Sequence, residues 1–307
     1  MHILEKSHCD FLSQCEIWRV RPDTIDTEVQ IVIVGPEGTW TTETRFGVTF
    51  TTDAEQFGNM VPSMTRTLAA FGDIYPSYTI SIGYAPNSAH PYAVQRTRDL
   101  TPTEWPDYSA FFTSALDEKN ALPTGQAEAF LNFIVEELQP ALNAAYPLDL
   151  QNTTLAGHDL GGLFTLFALL KRPEAFQHYL AISPALWWHE GSLLTLARNT
   201  AAHIASPTAA LYMCAGALGA QQPTASLVSA LPDELQAKLP SGILDPDVLG
   251  YMERLENTLA PWKTKGLQIH HAVIPNETPS SVVGAGLSQG LRALNSLSHA
   301  YEAEAQS

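Results

Sequence analysis

Cysteine is scarce in this chain, which has three (Cys9, Cys15 and Cys214) among 307 residues. They form no CxxC pair and leave an odd thiol, which argues against a zinc site and against a secreted disulfide framework. The sequence also lacks a glycine-rich phosphate loop and any metal-ligand spacing of His, Cys, Asp and Glu. We therefore expect any chemistry here to need no cofactor and no metal.

Basic residues are few as well. The chain has 16 Lys and Arg and 32 Asp and Glu, so its formal net charge is -16. This charge repels nucleic-acid phosphates and anionic lipid headgroups. No apolar run approaches the roughly 18 residues of a membrane span, and the opening MHILEKSHCD has no signal-peptide core. These features predict a soluble, cytoplasmic protein whose partner is a small molecule, not nucleic acid or membrane. They leave its oligomeric state open.

Hydrophobic residues make up 45% of the chain, enough for one large core, and we expect a single domain over residues 1–307. Short β-branched or apolar runs of strand length occur at 16–20, 29–34, 78–82, 152–156, 179–183, 210–214 and 267–274. Helical patterns at 126–142 and 163–170 separate the later runs. Strands alternating with helices predict an α/β fold with a mostly parallel sheet. Segment 216–246, rich in Gly, Pro and Ser, is interpreted as a lid or an irregular insertion.

The segment LAGHDLGG (155–162) lies between a strand-like and a helical run. Its frame G-x-D-x-G matches the strand–turn–helix elbow that presents a nucleophile at the edge of an open sheet. Gly157 and Gly161 leave room for the turn, and Asp159 occupies the position of the nucleophile. The N–H of Leu160, at the start of the helix, would face a developing oxyanion or a bound carboxylate.

Around this elbow, residues 153–188 (TTLAGHDLGGLFTLFALLKRPEAFQHYLAISPALWW) resemble the putative-esterase family of α/β hydrolases, which includes siderophore esterases. That family carries GHSxGGLF, a P-x-x-F segment and SPSxWW. Further likeness lies in 80–85, 96–106 and 123–142, and it extends over about residues 75 to 300. The first 75 residues match poorly, and IVIVGPEGTW lacks the aspartate often found after the corresponding strand. The resemblance implies an α/β-hydrolase fold with a central, mostly parallel sheet.

The resemblance also implies a serine, a histidine and an acid as catalytic triad, and this chain departs from the family at all three positions. Asp159 stands for the serine. The segment Pro275–Val282 puts Pro279 where the family's P-x-E-x-H-x-S-V motif has histidine, and the family's acidic turn falls on Gly219 and its neighbours. Without the triad, a protease retains only about 10³ to 10⁴ over the uncatalysed rate. Ordinary serine-esterase activity is therefore not expected.

Asp159 has two possible chemical roles. As a nucleophile, like the elbow aspartate of dehalogenases and epoxide hydrolases, it would need a histidine to hydrolyse the aspartyl ester. The histidines near predicted strand ends are His158, which the family uses for packing, and His189, His270 and His271. As a general acid or base in a largely apolar crevice, Asp159 would need no such partner and would suit rearrangement, dehydration or isomerisation.

Other residues in the family segments are candidates for ligand contacts. Arg96 and Arg98 could grip a carboxylate or carbonyl, although Arg98 could instead pair with Asp99 to fix its own loop. Trp187 and Trp188 could form an aromatic wall, with one of them expected in the core. Tyr84 follows the strand expected to supply the second oxyanion-hole amide. His158 completes the set of predicted ligand-binding positions.

Three hypotheses follow. The first is a repurposed, cofactor-free enzyme acting on a small, possibly secondary, metabolite through Asp159. The second is a non-catalytic pseudoenzyme that binds a ligand or a protein in the inherited cleft. The third is a true hydrolase with an unrecognised base. The fold does not choose among them, because function belongs to the site.

Overall fold

The computed structural model describes residues 1–38, 40–85, 91–115, 121–203, 207–219, 233–240, 243 and 247–296. Nine strands form one sheet in the order β1-β2-β3-β5-β4-β6-β7-β8-β9. The strands are β1 (His2–His8), β2 (Cys15–Arg21), β3 (Val29–Val34), β4 (Phe46–Thr51), β5 (Ser77–Tyr84), β6 (Leu148–His158), β7 (His178–Ile182), β8 (Ala209–Gly216) and β9 (Leu267–Ile274). From β5 to β9 all neighbours are parallel, while β1, β2 and β3 are antiparallel to their neighbours.

Helices cover both faces of the sheet. They are α1 (Ala54–Phe57), α2 (Met60–Ala70), α3 (Tyr92–Leu100), α4 (Pro106–Ala115), α5 (Ala127–Asn132), a π-helical turn (Phe133–Leu138), α6 (Gln139–Ala145), α7 (Leu160–Lys171), α8 (Trp188–His203), α9 (Asp233–Gln236), α10 (Val248–Lys263) and α11 (Val282–Asn295). Helix α7 is buried over nearly its whole length, which explains its continuous apolar sequence. One core lies against α7, and a smaller one lies between the opposite face, α2 and α11.

Two strands were missed by the sequence patterns. All seven residues of β1 are exposed at the edge of the sheet, so its sequence HILEKSH carries no burial signal. Strand β4 is almost fully buried, but its sequence FGVTFT includes a glycine and two threonines in place of an apolar run. Both strands belong to the weakly matching first 75 residues, and both join the same sheet as the family-like part of the chain.

Most of the segment 216–246 falls outside the described residues, so the expectation of a lid or insertion there stays untested. Within the described part, none of the helices combines the length and hydropathy that a membrane span requires. Nor do the His, Cys, Asp and Glu side chains of those residues group into a metal site.

Candidate functional site

The predicted elbow is present between β6 and α7. Asp159 has φ 55° and ψ -116°, a backbone conformation that an L-residue adopts only under strain. Its N–H donates to the carbonyl of Ile182 at 3.1 Å, and its own carbonyl accepts from Leu163 at 2.9 Å and from Ala185 at 3.0 Å. These bonds lock the turn, so the Asp159 side chain projects from the carboxyl end of the sheet, where open α/β folds bind ligands.

Glycine is required at the turn because backbone crosses backbone there. A Cβ on Gly157 would lie 2.2 Å from the carbonyl oxygen of Gly161, and a Cβ on Gly161 would lie 2.3 Å from Oγ1 of Thr52. The elbow therefore packs directly against the end of the neighbouring strand β4.

Replacing Gly157 by alanine is expected to destabilise the fold by about 3 kcal/mol, because the added methyl group meets immovable backbone. Gly284 is the matched control, since a Cβ there meets nothing within 4 Å. The Gly284→Ala variant should be unchanged or gain up to about 1 kcal/mol. Urea unfolding of both variants measures the difference, and equal stabilities would contradict the crowded elbow.

A charged centre lies beside Asp159. The Nη1 of Arg96, from α3, donates to Asp159 Oδ2 at 3.1 Å, while its Nε and Nη2 bind the two oxygens of Asp53 at 2.8 and 3.1 Å. The hydroxyl of Tyr92 donates to Asp53 Oδ1 at 2.5 Å. Burial alone would lower the pKa of Arg96, but the charge and hydrogen bonds of Asp53, together with Asp159, hold it above its ordinary value. Two carboxylates thus share one guanidinium.

The expectation of a largely apolar crevice around Asp159 is wrong. Its side chain is 39% exposed and ion-paired, whereas the side chain of Asp53 is fully buried and that of Arg96 is 13% exposed. The buried, fully bonded carboxylate is therefore Asp53, and Asp159 is the one that faces solvent. Among the described residues, no histidine is hydrogen-bonded to Asp159.

Asp53 was missed because the strand before it was missed. The run IVIVGPEGTW was compared with the family strand that an aspartate often follows. It forms β3, which does not pair with the elbow strand β6. Strand β4 pairs with β6 instead, with Thr51 opposite Ala156, so Thr52 and Asp53 come directly beside the elbow. The sequence signal was the aspartate that ends the run FGVTFTTD.

The predicted role of Tyr84 is wrong for the same reason. Tyr84 ends β5, which is separated from β6 by β4, and its N–H donates to Oε1 of Glu55 at 2.6 Å. Its hydroxyl donates to Asp99 at 3.0 Å, inside the protein. Neither group is available to an oxyanion. The Leu160 amide stays a prediction, at the start of α7, where the first N–H groups have no partner within the helix.

Glu55 provides a pH test of this region. Although the residue as a whole is exposed, its carboxyl group lies against the backbone of Gly83 and Tyr84. Desolvation raises its pKa above the ordinary 4.5, and the Tyr84 N–H only partly opposes this. A carboxyl with a raised folded-state pKa favours folding while protonated, below its ordinary pKa. That contribution is lost as pH rises through the folded value.

The Glu55→Gln variant should therefore be more stable than the natural chain at about pH 7.5, and equal to it at about pH 4. The exposed Glu253 on α10 serves as control, because Glu253→Gln removes the same charge without touching this contact. Thermal unfolding across this pH range measures the gap. A gap that widens toward low pH would contradict the assignment.

Arg98 and Asp99 form a local pair. Nε and Nη2 of Arg98 donate to the two carboxylate oxygens of Asp99 at 2.6 and 2.7 Å, and Asp99 is fully buried. The structure thus supports the interpretation of Arg98 as a structural partner of Asp99. It contradicts the predicted contact of Arg98 with a ligand, because Nε and Nη2 of its guanidinium are already hydrogen-bonded to Asp99. Of the two arginines, only Arg96 lies beside the elbow.

The two remaining positions assigned to the triad come together in space. A Cβ on Gly219 would lie 3.9 Å from Cγ of Pro279. The carbonyl of Pro279 accepts a hydrogen bond from Nε2 of His158, at 2.7 Å, and the His158 ring packs edge-on against Phe57. His158 therefore holds the Pro279 loop to the elbow, and it acts as the packing residue that the resemblance implies.

Of the other candidate histidines, His189 and His271 have structural partners and His270 is exposed. His189 accepts or donates at Nδ1 to Thr103 Oγ1, at 3.2 Å, and stacks on Trp105. Nδ1 of His271 lies within hydrogen-bond distance of Oε2 of Glu256, at 2.6 Å, on the exposed edge strand β9, and His270 is exposed on the same strand. None of the three is a hydrogen-bond partner of the elbow in the described structure.

Trp187 and Trp188 differ in burial, as expected. Trp188 is buried, and its indole N–H donates to the carbonyl of Thr103 at 3.1 Å, whereas Trp187 is only half-buried. Trp188 packs against Tyr108. The hydroxyl of Tyr108 is near enough to Asp159 and Arg96 for their charges to affect its pKa. Trp105, Tyr108, Trp187 and Trp188 thus form an aromatic cluster, of which Tyr108 is near the charged centre.

Comparison with known proteins finds esterases. Residues 103–231 match the family described as Esterase, putative esterase. The chain is similar to ferri-bacillibactin esterase BesA of Bacillus subtilis, with 36% identity over 121 residues, 39% of this chain and 40% of that protein. It is also similar to siderophore enterobactin esterase of Emericella nidulans, with 36% identity over 148 residues, 44% of this chain and 46% of that protein. The matches thus span less than half of these relatives.

Solved structures extend the likeness to most of the chain. The BES protein from Bacillus cereus superposes with a TM-score of 0.72 and 24% identity, covering 96% of this chain and all of that one. Siderophore hydrolase EstB from Aspergillus nidulans gives a TM-score of 0.70 and 20% identity, covering 93% and 95%. At these identities the agreement concerns the fold. The chain has the α/β-hydrolase fold, and it resembles the putative-esterase family that includes siderophore esterases.

Proposed function

We propose that this chain is an esterase-like α/β-hydrolase homologue that has exchanged serine hydrolysis for cofactor-free chemistry on a small metabolite, with Asp159 at the reacting centre. The observation that carries the proposal is the elbow itself. A strained, sterically locked turn places a partly exposed carboxylate at the carboxyl end of the parallel strands, next to Arg96. Strain of this kind persists only where the surrounding structure holds it, and it concentrates at functional sites.

Arg96 orients the Asp159 carboxylate. The guanidinium is fixed by two bonds to buried Asp53, so its third bond points the Oδ2 atom of Asp159 in one direction. A carboxylate held in this way can take a proton from a bound hydroxyl or carbon acid, and return it to another atom of the ligand. This role fits isomerisation, dehydration or rearrangement.

A covalent role fits less well. An aspartyl ester at this position needs a base to activate water, and Pro279 stands where the family has its histidine. Acid–base chemistry therefore ranks ahead of the nucleophilic role. Serine-esterase activity and a hydrolase with an unrecognised base rank behind both.

The ligand is expected to bear hydroxyl groups or positive charge together with an aromatic or flat part. The two carboxylates and one guanidinium leave the centre with one net negative charge. Tyr108, which packs with Trp105 and Trp188, is near enough for the charges of Asp159 and Arg96 to affect its pKa. Because the relatives are named siderophore esterases, siderophores and their fragments are the first compounds to test.

The test is a conversion screen of such compounds, followed by mass spectrometry, with natural protein, Asp159→Asn and the distant surface variant Glu174→Gln. Conversion by the natural protein and by Glu174→Gln should fall at least about 10²-fold in Asp159→Asn, as expected for loss of a general base. If Asp159→Asn converts the compound as fast as the natural protein does, Asp159 is not at the reacting centre.

The second candidate is a non-catalytic binding protein. It is favoured by the hydrogen bonds that already occupy the Arg96 guanidinium, two to Asp53 and one to Asp159. In that case a compound of the same screen binds the natural protein, measured by calorimetry, and is recovered unchanged at every time point.

A further inference from the structure

Cys9 and Cys15 face each other at the end of the β1–β2 hairpin. His8 pairs with Glu16, so the next pair in this antiparallel register is Cys9 with Cys15, and the N–H of Cys9 donates to the carbonyl of Cys15 at 3.2 Å. Hydrogen-bonded opposite residues have Cα atoms about 5.5 Å apart. Disulfides form at Cα separations of about 4.4 to 6.8 Å. This register brings the two backbones to a separation at which a disulfide can form. Both cysteines are free, and each thiol is close enough to the other to affect its pKa.

The two thiols are unequal. Cys15 is 4% exposed, and burial, then the Cys9 thiol, raises the pKa of Cys15 to about 12. Cys9 is half-buried at the surface. The backbone N–H groups of Leu12 and Phe11 stabilise its thiolate and so lower its pKa below the ordinary value. The thiolate is the form that attacks a disulfide. Cys9 is therefore the attacking thiol, and Cys15 lies behind it.

A cavity adjoins the pair. It measures about 540 Å³, and its lining includes Cys9, Cys15, Ser13, Gln14, Tyr78 and Tyr146. Tyr78 is at the start of β5, and Tyr146 precedes β6, so the cavity lies at the amino ends of these strands. Asp159 follows the carboxyl end of β6. The cavity and the elbow are consequently at opposite ends of the parallel strands. The cavity is large enough to receive a small molecule beside Cys9.

We propose that Cys9 and Cys15 form a thiol–disulfide exchange site that reacts with a low-molecular-weight disulfide. The Cys9 thiolate attacks one sulfur of the disulfide, which releases one small thiolate and leaves a mixed disulfide on Cys9. The Cys15 sulfur, giving up its proton, then attacks Sγ of Cys9 and displaces the second small thiol. The protein dithiol is oxidised by two electrons, the small disulfide is reduced to two thiols, and the protons of Cys9 and Cys15 end on those thiols.

The test treats the reduced full-length protein with oxidised glutathione under native conditions and maps its peptides by mass spectrometry. The natural chain should lose two hydrogens and yield one linked peptide pair, Cys9 with Cys15. The Cys15→Ser variant should stop with glutathione attached to Cys9, and the Cys9→Ser variant should carry no adduct on Cys15. Cys214, fully buried with its pKa raised by burial to about 12, is the internal control and should stay reduced.

Circular dichroism of each variant establishes that it is folded before the reaction. If Cys9 stays unmodified while the protein is folded, the site is not a reactive thiol. If the mixed disulfide on Cys9 persists in the natural chain, Cys15 is not its partner. Either result overturns the proposal, and neither depends on what Asp159 does.

Discussion

The double variant Asp159→Ser, Pro279→His is expected to hydrolyse p-nitrophenyl acetate about 10²-fold faster than either single variant. Serine and histidine act as a unit, and the acid contributes less, so restoring the first two recovers most of the lost rate. The expectation rests on geometry: His158 ties the Pro279 loop to the elbow at 2.7 Å, which places a histidine at 279 close to a serine at 159.

Initial rates at saturating ester, with folding checked by circular dichroism, make the comparison. Adding Gly219→Asp to the double variant should raise the rate further, because a Cβ at position 219 would lie 3.9 Å from Cγ of Pro279, beside the new histidine. Rates for the double variant no higher than those of the single variants would mean that the Pro279 loop is not the position of the missing histidine.

The Arg96→Met variant is expected to lose about 3 to 5 kcal/mol of unfolding free energy. Arg96 is the ion-pair partner of Asp53, whose side chain is fully buried. When the guanidinium is removed, the donors left to that carboxylate among the described side chains are Tyr92 and Thr52. An unpaired buried charge is among the most costly defects in a protein.

Arg172→Met is the matched control. Arg172 also binds two carboxylates, those of Glu136 and Glu174, but all three side chains are substantially exposed. Its loss should cost less than about 1 kcal/mol. In urea unfolding, Arg96→Met, Asp53→Asn should lose less than the sum of its single variants, because it leaves no unpaired charge. Equal costs for Arg96 and Arg172 would contradict the buried centre.

The elbow could be predicted because its pattern is local. The glycines at 157 and 161, the following apolar helix and the preceding strand all lie within one continuous stretch. The same holds for the buried apolar runs of β6, β7 and β8, which, with the mixed run of the edge strand β9, identified the later, parallel part of the sheet. A buried parallel strand is apolar on both faces, and its sequence therefore carries a strong signal.

The neighbours of Asp159 could not be predicted because they depend on strand order. Which strand lies beside the elbow is decided by a crossover connection, and β4 holds that place although its sequence signal is weak. Asp53 was missed and Tyr84 was misassigned for this one reason. The pairing of Arg96 with both carboxylates is likewise a long-range contact, joining residues 43 and 63 positions apart.

The measurement that tests the central claim most directly is the rate at which the natural protein hydrolyses a simple ester, compared with the Asp159→Asn variant. If Asp159 has replaced the serine of the hydrolytic site, both proteins should give only the background rate of the buffer. Robust hydrolysis that persists in Asp159→Asn would contradict the account and place the reacting centre elsewhere in the chain.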